Sequence, residues 1–286
     1  MYVAIRDYFL TTIGEPDSFV GMDSLGIDSV ELAVEQGTRI DWPCRKGGAF
    51  VLSSADDRAR LSGLFEEEGA SICAFLMGND FSSDDLDGEI GALVTTCEAA
   101  EEMGIPAVRV DMILRKDGMS EDEFVRRCAK GVRSGLAATS SVRIAVENHG
   151  DTTNRPEFMD KVIDATGDDR FGLTLDSGNF YWYGHPLRKV YEIIEKYAGR
   201  VYHTHIKNIS FPKKLRNVQR EIGYKYGEYV CPIYEGDVDH TRVVSILKAA
   251  GYDGPLTIED ESVGKFSVEQ WREILAKDAD YVRSLI

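Results

Sequence analysis

The sequence predicts a single α/β domain over residues 1–286, a (β/α)8 TIM barrel, and three observations support this fold. Short apolar runs alternate with longer amphipathic segments along nearly the whole chain. No linker rich in proline, glycine or serine separates them, and no change in composition divides the chain. Strands that alternate with helices form right-handed crossovers and a parallel sheet, and eight such units in about 250 residues are typical of a closed barrel.

The predicted strands are rich in valine, isoleucine, leucine and phenylalanine, as strands buried on both faces are. In chain order they are Val3–Phe9, Ser29–Val34, Ser71–Met77, Ala107–Met112, Arg143–Glu147, Phe171–Asp176, Val201–Ile206 and Pro255–Glu259. A doubly wound open sheet is the alternative fold. The glycine-rich turn of a dinucleotide-binding fold is missing after the first strand, so the barrel is favoured.

Amphipathic helices are predicted between these strands. Ser120 and Glu123 form the pattern of a capping box at the start of the fourth helix, and Gly251 ends the helix before the last strand. The length beyond a minimal barrel lies mainly in Gln36–Leu52 and in the long connection Asn208–Asp239.

The charge balance excludes some partners. Acidic residues outnumber basic ones 49 to 33, which gives a net charge of −16. This charge opposes close approach to a phosphate backbone, so we expect no nucleic-acid partner. No apolar run reaches the ~18 residues of a membrane span, and we expect no membrane association. The 5 cysteines contain no CxxC pair, which indicates buried thiols in a cytoplasmic protein.

Polar groups at the carboxyl ends of barrel strands face the active site of such a fold. The predicted strand ends carry Glu31, Asp111, Glu147, Asp176, His205 and Glu259. A single acid or histidine at such a position is more often a helix cap, an ion-pair partner or a half-buried side chain. The last four residues end successive strands, however, and together they favour a divalent metal site with open positions for substrate.

The segments that carry these residues resemble a known family. VENHG, GLTLDSGN, HTHIKN and GYDGPLTIE, all within residues 142–261, are similar to the sugar isomerase/epimerase superfamily with a xylose-isomerase-like barrel. The resemblance implies a small carbohydrate substrate and one divalent ion, Mn, Mg, Co or Zn. It implies that Glu147, Asp176, His205 and Glu259 hold the ion, and that the two glutamates flank the reacting carbon.

The chemistry of such a site agrees with these residue types. Isomerising or epimerising a keto-sugar removes a proton beside a carbonyl, and a metal stabilises the enediolate that forms. Glu147 and Glu259 are the predicted catalytic pair, one removing the proton and the other returning it. The predicted substrate-binding residues are His149, His203, Lys207 and Arg109, with Trp42 as a further pocket residue. A rim histidine is the alternative for His149, and a buried ion pair is the alternative for Arg109.

Three other functions stay open. The same mononuclear site serves dehydratases and lyases that act on keto-sugars or keto-inositols. An apurinic-site endonuclease is disfavoured because no histidine precedes His149 and because Asn179 stands three residues after Asp176. A non-catalytic sugar-binding subunit is disfavoured by the intact ligand set. The basic, aromatic connection 208–239 is either a lid over an anionic or glycosylated substrate or a solvated loop or subunit contact, and a homo-oligomer is compatible with the sequence.

Overall fold

The structure is a computed structural model that describes residues 1–15, 17–42 and 48–286. Within these ranges eight parallel strands form a closed barrel. They are β1 (Tyr2–Arg6), β2 (Ser29–Val34), β3 (Ser71–Met77), β4 (Ala107–Val110), β5 (Arg143–Glu147), β6 (Phe171–Asp176), β7 (Val201–Ile206) and β8 (Pro255–Ile258). Neighbouring strands pair in chain order, and β8 pairs with β1, with Val3 opposite Leu256, to close the barrel. The predicted fold is confirmed.

The predicted strand bounds hold best in the middle of the chain. β2, β3, β5, β6 and β7 have the predicted limits. The prediction Val3–Phe9 is too long, because the chain turns into a short helix, Asp7–Thr12, directly after Arg6. Asp7 causes this turn: its carboxylate accepts hydrogen bonds from the backbone N–H of Tyr8 at 2.7 Å and of Ala33 at 2.9 Å. The predictions for β4 and β8 also extend past the observed ends, at Val110 and Ile258.

One longer helix follows each strand in the described residues and packs on the outside of the barrel. These are α1 (Ser18–Leu25), α2 (Ala55–Glu68), α3 (Leu86–Glu102), α4 (Glu121–Ala137), α5 (Pro156–Thr166), α6 (Leu187–Tyr197), α7 (His240–Ala249) and α8 (Val268–Arg283). Ser120 caps α4 by accepting a hydrogen bond from the Glu123 N–H at 3.2 Å. Gly251 follows α7 with φ +85°, the left-handed conformation that glycine adopts without strain.

Shorter elements occupy the loops at the ends of the barrel. An antiparallel hairpin of Arg39–Trp42 and Gly48–Val51 follows β2. Two further α-helices, Asn179–Trp182 and Tyr226–Tyr229, lie in the loops after β6 and β7. Single 3-10 turns complete the set of described elements, at Ala198–Arg200, Lys213–Leu215, Ile233–Glu235 and Glu261–Lys265.

Hydrogen bonds join the two ends of the long connection after β7. Asn208–Ile209 pairs antiparallel with Val230–Cys231. The Asn208 amide donates to the carbonyl of Ile233 at 2.9 Å and to that of Val238 at 3.1 Å, and its oxygen accepts from the Val238 N–H at 3.0 Å. A Cβ on Gly236 would lie 2.0 Å from this amide, so a side chain there would displace it. The connection is therefore a fixed part of the barrel mouth.

The barrel separates an apolar core from a polar mouth. Aliphatic and aromatic side chains fill the space between strands and helices, whereas buried polar side chains gather at the carboxyl ends of the strands: Glu31, Arg109, Glu147, Asp176, His203, His205, Lys207 and Glu259. Cys73, Cys97, Cys128 and Cys231 are buried free thiols, as predicted, and Cys44 lies outside the described residues. Across the described ranges, no helix combines the length and apolar character needed to cross a membrane.

Candidate metal centre

Four strands each bring one ligand to the centre of the barrel mouth. Glu147 and Asp176 are the last residues of β5 and β6, His205 is the penultimate residue of β7, and Glu259 directly follows β8. One atom from each side chain lies within 4.8 Å of the others. All four are buried. The structure thus brings together the ligand set that the sequence analysis selected.

The free atoms of this cluster fit a divalent cation. Asp176 Oδ2, His205 Nδ1 and Glu259 Oε2 are buried and make no hydrogen bond of good geometry among the described residues, although Lys207 Nζ lies within 3.1 Å of the two oxygens. The other oxygen of Asp176 is already fixed, since it accepts from the backbone N–H groups of Gly178 and Asn179 at 2.8 Å each. Two carboxylate oxygens, an imidazole nitrogen and the Glu147 carboxylate form a donor set suited to Mn, Mg, Co or Zn.

Glu31 of β2 orients the histidine ligand. Its carboxylate oxygen Oε2 lies 2.9 Å from His205 Nε2, and Oε1 lies 2.9 Å from His203 Nε2. A carboxylate beside Nε2 favours a proton on that nitrogen, and on loss of the second proton this would leave the lone pair of Nδ1 for a bound cation. His205 Nδ1 lies 3.3 Å from Glu147 Oε2 and 3.5 Å from Glu259 Oε2.

Two arginines hold the glutamates of the cluster. Arg109 Nε donates to Glu147 Oε2 at 2.7 Å, and Arg6 pairs with Glu259. Burial raises the pKa of the Glu147 carboxyl, but Arg109 and His205 outweigh it and hold that pKa well below its ordinary value. Burial also opposes ionisation of Glu259, yet Lys207, His205 and Arg6 lower its pKa. Both glutamates are therefore carboxylates at neutral pH.

Lys207 places an ammonium group inside the ligand cluster. Its Nζ lies 3.0 Å from Asp176 Oδ2, 3.1 Å from Glu259 Oε2 and 3.1 Å from Glu261 Oε2. Burial lowers the pKa of Lys207, but these three carboxylates outweigh it and raise the pKa well above its ordinary value. Burial raises the pKa of Asp176, and the neighbouring Glu259 and Glu147 raise it further. The cluster thus contains a fixed positive charge beside its carboxylates.

The other predicted substrate-binding residues take different positions. His149 stands at the rim with 46% of its side chain exposed, and its Nδ1 lies 2.9 Å from Asp111 Oδ1. This hydrogen bond raises the pKa of His149. His203 has no exposed surface and contacts Glu31. Arg109 forms the buried ion pair weighed as its alternative, with Glu147 and with Asp111 at 3.0 Å. Their substrate contacts stay predictions, and the side chain of Trp42 lies outside the described residues.

The sequence analysis did not assign several residues that support the ligands. Arg6, Glu31 and Asn179 each contact a ligand, and Asn179 Nδ2 donates to Glu147 Oε1 at 2.9 Å. Glu31 could have been recognised as a site residue from the sequence, because it is a charged residue within the apolar strand SVELAV. Arg6 could not have been recognised in this way, since the predicted first strand continued past it to Phe9.

A comparison with known protein families agrees with this geometry. The family model described as xylose isomerase-like TIM barrel matches residues 22–285. The chain belongs to this family. The resemblance drawn from the four sequence segments is thereby confirmed.

Solved structures show the same fold. A zinc-bound IOLI protein superposes with a TM-score of 0.74 at 17% identity, covering 100% of this chain and 99% of that one. The xylose isomerase domain protein from Planctomyces limnophilus gives 0.68 at 16% identity, covering 99% and 96%. Mannonate dehydratase from Streptococcus suis serotype2 gives 0.70 at 15%, covering 100% and 93%.

Curated relatives are named for one activity. Inosose dehydratase from Clostridium perfringens (strain 13 / Type A) is 28% identical over 151 residues, which cover 50% of this chain and 49% of that protein. Inosose dehydratase from Glaesserella parasuis serovar 5 (strain SH0165) is 26% identical over 156 residues, covering 52% of each. The chain spans about half the length of the curated relatives that it matches.

Proposed function

We propose that this chain is a divalent-metal-dependent dehydratase that removes water from a cyclic keto-polyol of the inosose class. The observation that carries the proposal is the ammonium of Lys207, buried among the ligands at 3.0 Å from Asp176 and 3.1 Å from Glu259. Dehydration needs an acid beside the base, and this pairing supplies both. The matched inosose dehydratases support dehydration over the isomerase activity that the sequence analysis placed first.

The chain's own residues account for each proton in this reaction. Glu147 or Glu259 removes the proton beside the substrate carbonyl. Lys207 gives its proton to the hydroxyl on the next carbon, which leaves as water. The double bond then joins those two carbons as an enol, and the enol rearranges to a 1,2-diketone. One water is lost. The glutamate ends with one proton more and Lys207 with one proton fewer, and no oxidant or reductant is needed.

The metal has a defined place in this proposal. A divalent ion held by Glu147, Asp176, His205 and Glu259 would supply Lewis-acid stabilisation of the negative charge that develops on the substrate. The zinc named for the IOLI protein supports a divalent ion in a chain of this fold. We further propose that the protein is cytoplasmic, which its buried free thiols support, and that it acts on a small carbohydrate without nucleic acid.

Isomerisation or epimerisation of a keto-sugar is the second candidate. Glu147 and Glu259 reach the same point from β5 and from β8, since both lie within 3.5 Å of His205 Nδ1. Two carboxylates around one reacting carbon can remove a proton and return it on the same or the opposite face. This arrangement supports proton transfer without loss of water.

Incubation of the metal-loaded protein with an inosose in deuterium oxide distinguishes the two candidates. We expect a 1,2-diketone that has lost one water, detected by mass spectrometry. Deuterium at the carbon beside the carbonyl without loss of water would favour the second candidate. The variant Asp176→Ala is expected to lose the metal and the reaction while its circular dichroism spectrum is kept. Neither reaction with an inosose or a panel of keto-sugars would contradict both functions.

A further inference from the structure

A cavity of about 430 Å³ lies beside the metal centre. It is bounded by the short helix after β1, the helix Tyr226–Tyr229, the turn Glu261–Lys265 and α8. Its walls include Arg6, Tyr8, Tyr226, Glu261, Val263 and Trp271. A cavity of this size falls within the range of about 300–1,000 Å³ that small-molecule sites occupy.

Two polar residues connect the cavity to the metal ligands. Arg6 pairs with Glu259. Glu261 lies 3.1 Å from Lys207 Nζ, and the Tyr226 hydroxyl donates to the same Glu261 carboxylate. The cavity is therefore separated from the ligand cluster by single side chains.

The walls of the cavity offer aromatic surface. Tyr8 is 60% exposed although it lies beside the mouth, and Tyr226 and Trp271 add two further rings. Aromatic side chains provide large apolar faces against which a bound molecule can pack.

The charges of the cavity are already paired. Arg6 contacts Glu259 and lies 3.5 Å from Glu31, and Glu261 contacts Lys207. The nearby Lys265 donates to the carbonyls of Glu228 and Val230 at 3.1 and 2.8 Å. Among the described lining residues, no cation is left to bind an anion. The cavity is therefore suited to an uncharged group.

The basic residues of the connection after β7 agree with this reading. Arg216 Nη2 lies 2.8 Å from Asp237 Oδ1. Arg220 is buried, donates to the carbonyls of Leu215 and Tyr181 at 2.6 and 2.9 Å, and stacks on the Tyr181 ring. These two arginines stabilise the connection itself. Of the two substrate types weighed for a lid, the glycosylated one fits the cavity better than the anionic one.

We propose that this cavity binds a second, uncharged sugar ring, so that the substrate is a keto-polyol that carries a glycosyl group. The C–H faces of a sugar ring pack on aromatic rings such as those of Tyr8, Tyr226 and Trp271. The inference rests on the proposed function for the identity of the reacting ring.

Binding to the metal-loaded protein tests this proposal by isothermal titration calorimetry with three ligands. They are an inosose, its glucosyl derivative and its phosphate ester. We expect the glucosyl derivative to bind at least about tenfold more tightly than the free inosose. In Tyr8→Ala and Trp271→Leu the ratio of these two dissociation constants should fall towards one. Tyr2→Ala is the matched control, because Tyr2 is an exposed aromatic residue at the opposite end of β1, and it should keep the ratio.

The outcomes separate the cavity from the reaction. The proposal is overturned if the glucosyl derivative binds no more tightly than the free inosose, if the phosphate ester binds most tightly, or if the gain survives in both cavity variants. Dehydration of the free inosose with no gain from the glucosyl group would retain the proposed function and remove the cavity proposal. Tighter binding of the glucosyl derivative that depends on Tyr8 and Trp271, without dehydration of either compound, would retain the cavity proposal and remove the proposed function.

Discussion

Glu31 shows how much of the site depends on residues that are not ligands. It lies on β2, yet it contacts His203 and His205 on β7 through both carboxylate oxygens. Hydrogen bonds of this kind orient a ligating imidazole, and their loss typically lowers metal affinity by about 10–100-fold. His203 contacts the same carboxylate. This fully buried histidine therefore helps to position Glu31, in addition to its predicted role in substrate binding.

We expect Glu31→Gln to weaken metal binding by about 10–100-fold, because the amide has the size of the carboxylate without its charge. Competition with a chelating dye measures the dissociation constant. Glu35→Gln is the control, since Glu35 is exposed just beyond the end of β2. Equal metal affinity in Glu31→Gln and Glu35→Gln would contradict the positioning role.

Replacing Glu147 or Glu259 by glutamine keeps an oxygen for the metal and removes the proton acceptor. We expect solvent-deuterium exchange into the substrate to fall at least about a hundredfold in the variant that lacks the base. Nuclear magnetic resonance of the recovered substrate measures the exchange. Exchange at the wild-type rate in both variants would place the base elsewhere, with His203 or Lys207 examined next.

The four candidate ligands could be selected from the sequence because each lies at the end of an apolar strand, where an unpaired charge is costly. That they bind an ion stays a prediction. Their supports could not be predicted in the same way. Whether Arg6 meets Glu259, or Glu31 meets His205, depends on which strands become neighbours or face each other across the barrel. Such contacts join residues 253 and 174 positions apart in the chain.

At the scale of elements, α7 begins with a buried histidine beneath the mouth. His240 Nε2 lies 3.1 Å from Ser177 Oγ and 3.3 Å from the Lys207 carbonyl, and its ring packs against Tyr281. Burial lowers the pKa of His240 to about 4. The folded protein therefore holds this ring neutral beside the loops that carry Asp176 and Lys207.

This burial predicts a loss of stability in acid. An unfolded histidine has a pKa of about 6.5, so between pH 6.5 and about 4 the unfolded chain binds more protons at this residue than the folded one. The free energy of unfolding should fall by up to about 3 kcal/mol across that window. His240→Gln should show a shallower fall in urea titrations at successive pH values. Parallel curves for the two proteins would contradict this account.

Gly172 in β6 marks a close approach of two strands. A Cβ at this position would lie 2.0 Å from the Arg200 carbonyl oxygen and 2.5 Å from the Tyr202 ring. We expect Gly172→Ala to lower the free energy of unfolding by about 1–3 kcal/mol, measured by urea denaturation. Gly63→Ala in α2 is the control, because nothing lies within 4 Å of its added Cβ, and it should stabilise the protein by about 0.5–1 kcal/mol.

The elements themselves were mostly predictable. Strands buried on both faces are apolar throughout their length, and this explains why the predicted bounds of β5, β6 and β7 match the structure. The first strand was predicted too long because Tyr8 and Phe9 continue the hydrophobic pattern of the strand. The turn depends on the Asp7 carboxylate bonding to Ala33 on the next strand, which hydrophobic pattern alone does not reveal.

At the scale of the whole molecule, the net charge of −16 favours a sugar over a nucleic acid as the substrate. We expect no cleavage of a duplex that contains an abasic site, even at low salt where attraction to phosphate is strongest. A gel-based nicking assay measures this, with a known nuclease as the positive control. Metal-dependent nicking at enzyme-like rates, with no response to any sugar, would favour the endonuclease alternative.

The candidate ligands and most of their supports come from different halves of the chain. All four candidate ligands come from the end of β5, β6, β7 or β8, and Asn179 also lies in this half, whereas Arg6, Glu31 and Arg109 come from β1, β2 and β4. The seam between β1 and β8, where Val3 faces Leu256, joins the halves. An ion at the centre would be held by the second half and would depend on the first half through Arg6, Glu31 and Arg109, so that opening of the seam would draw Arg6 away from Glu259 and weaken binding of the ion. We expect the ion to leave before the barrel unfolds as a whole, and a retained ion to protect the first strand from proteases.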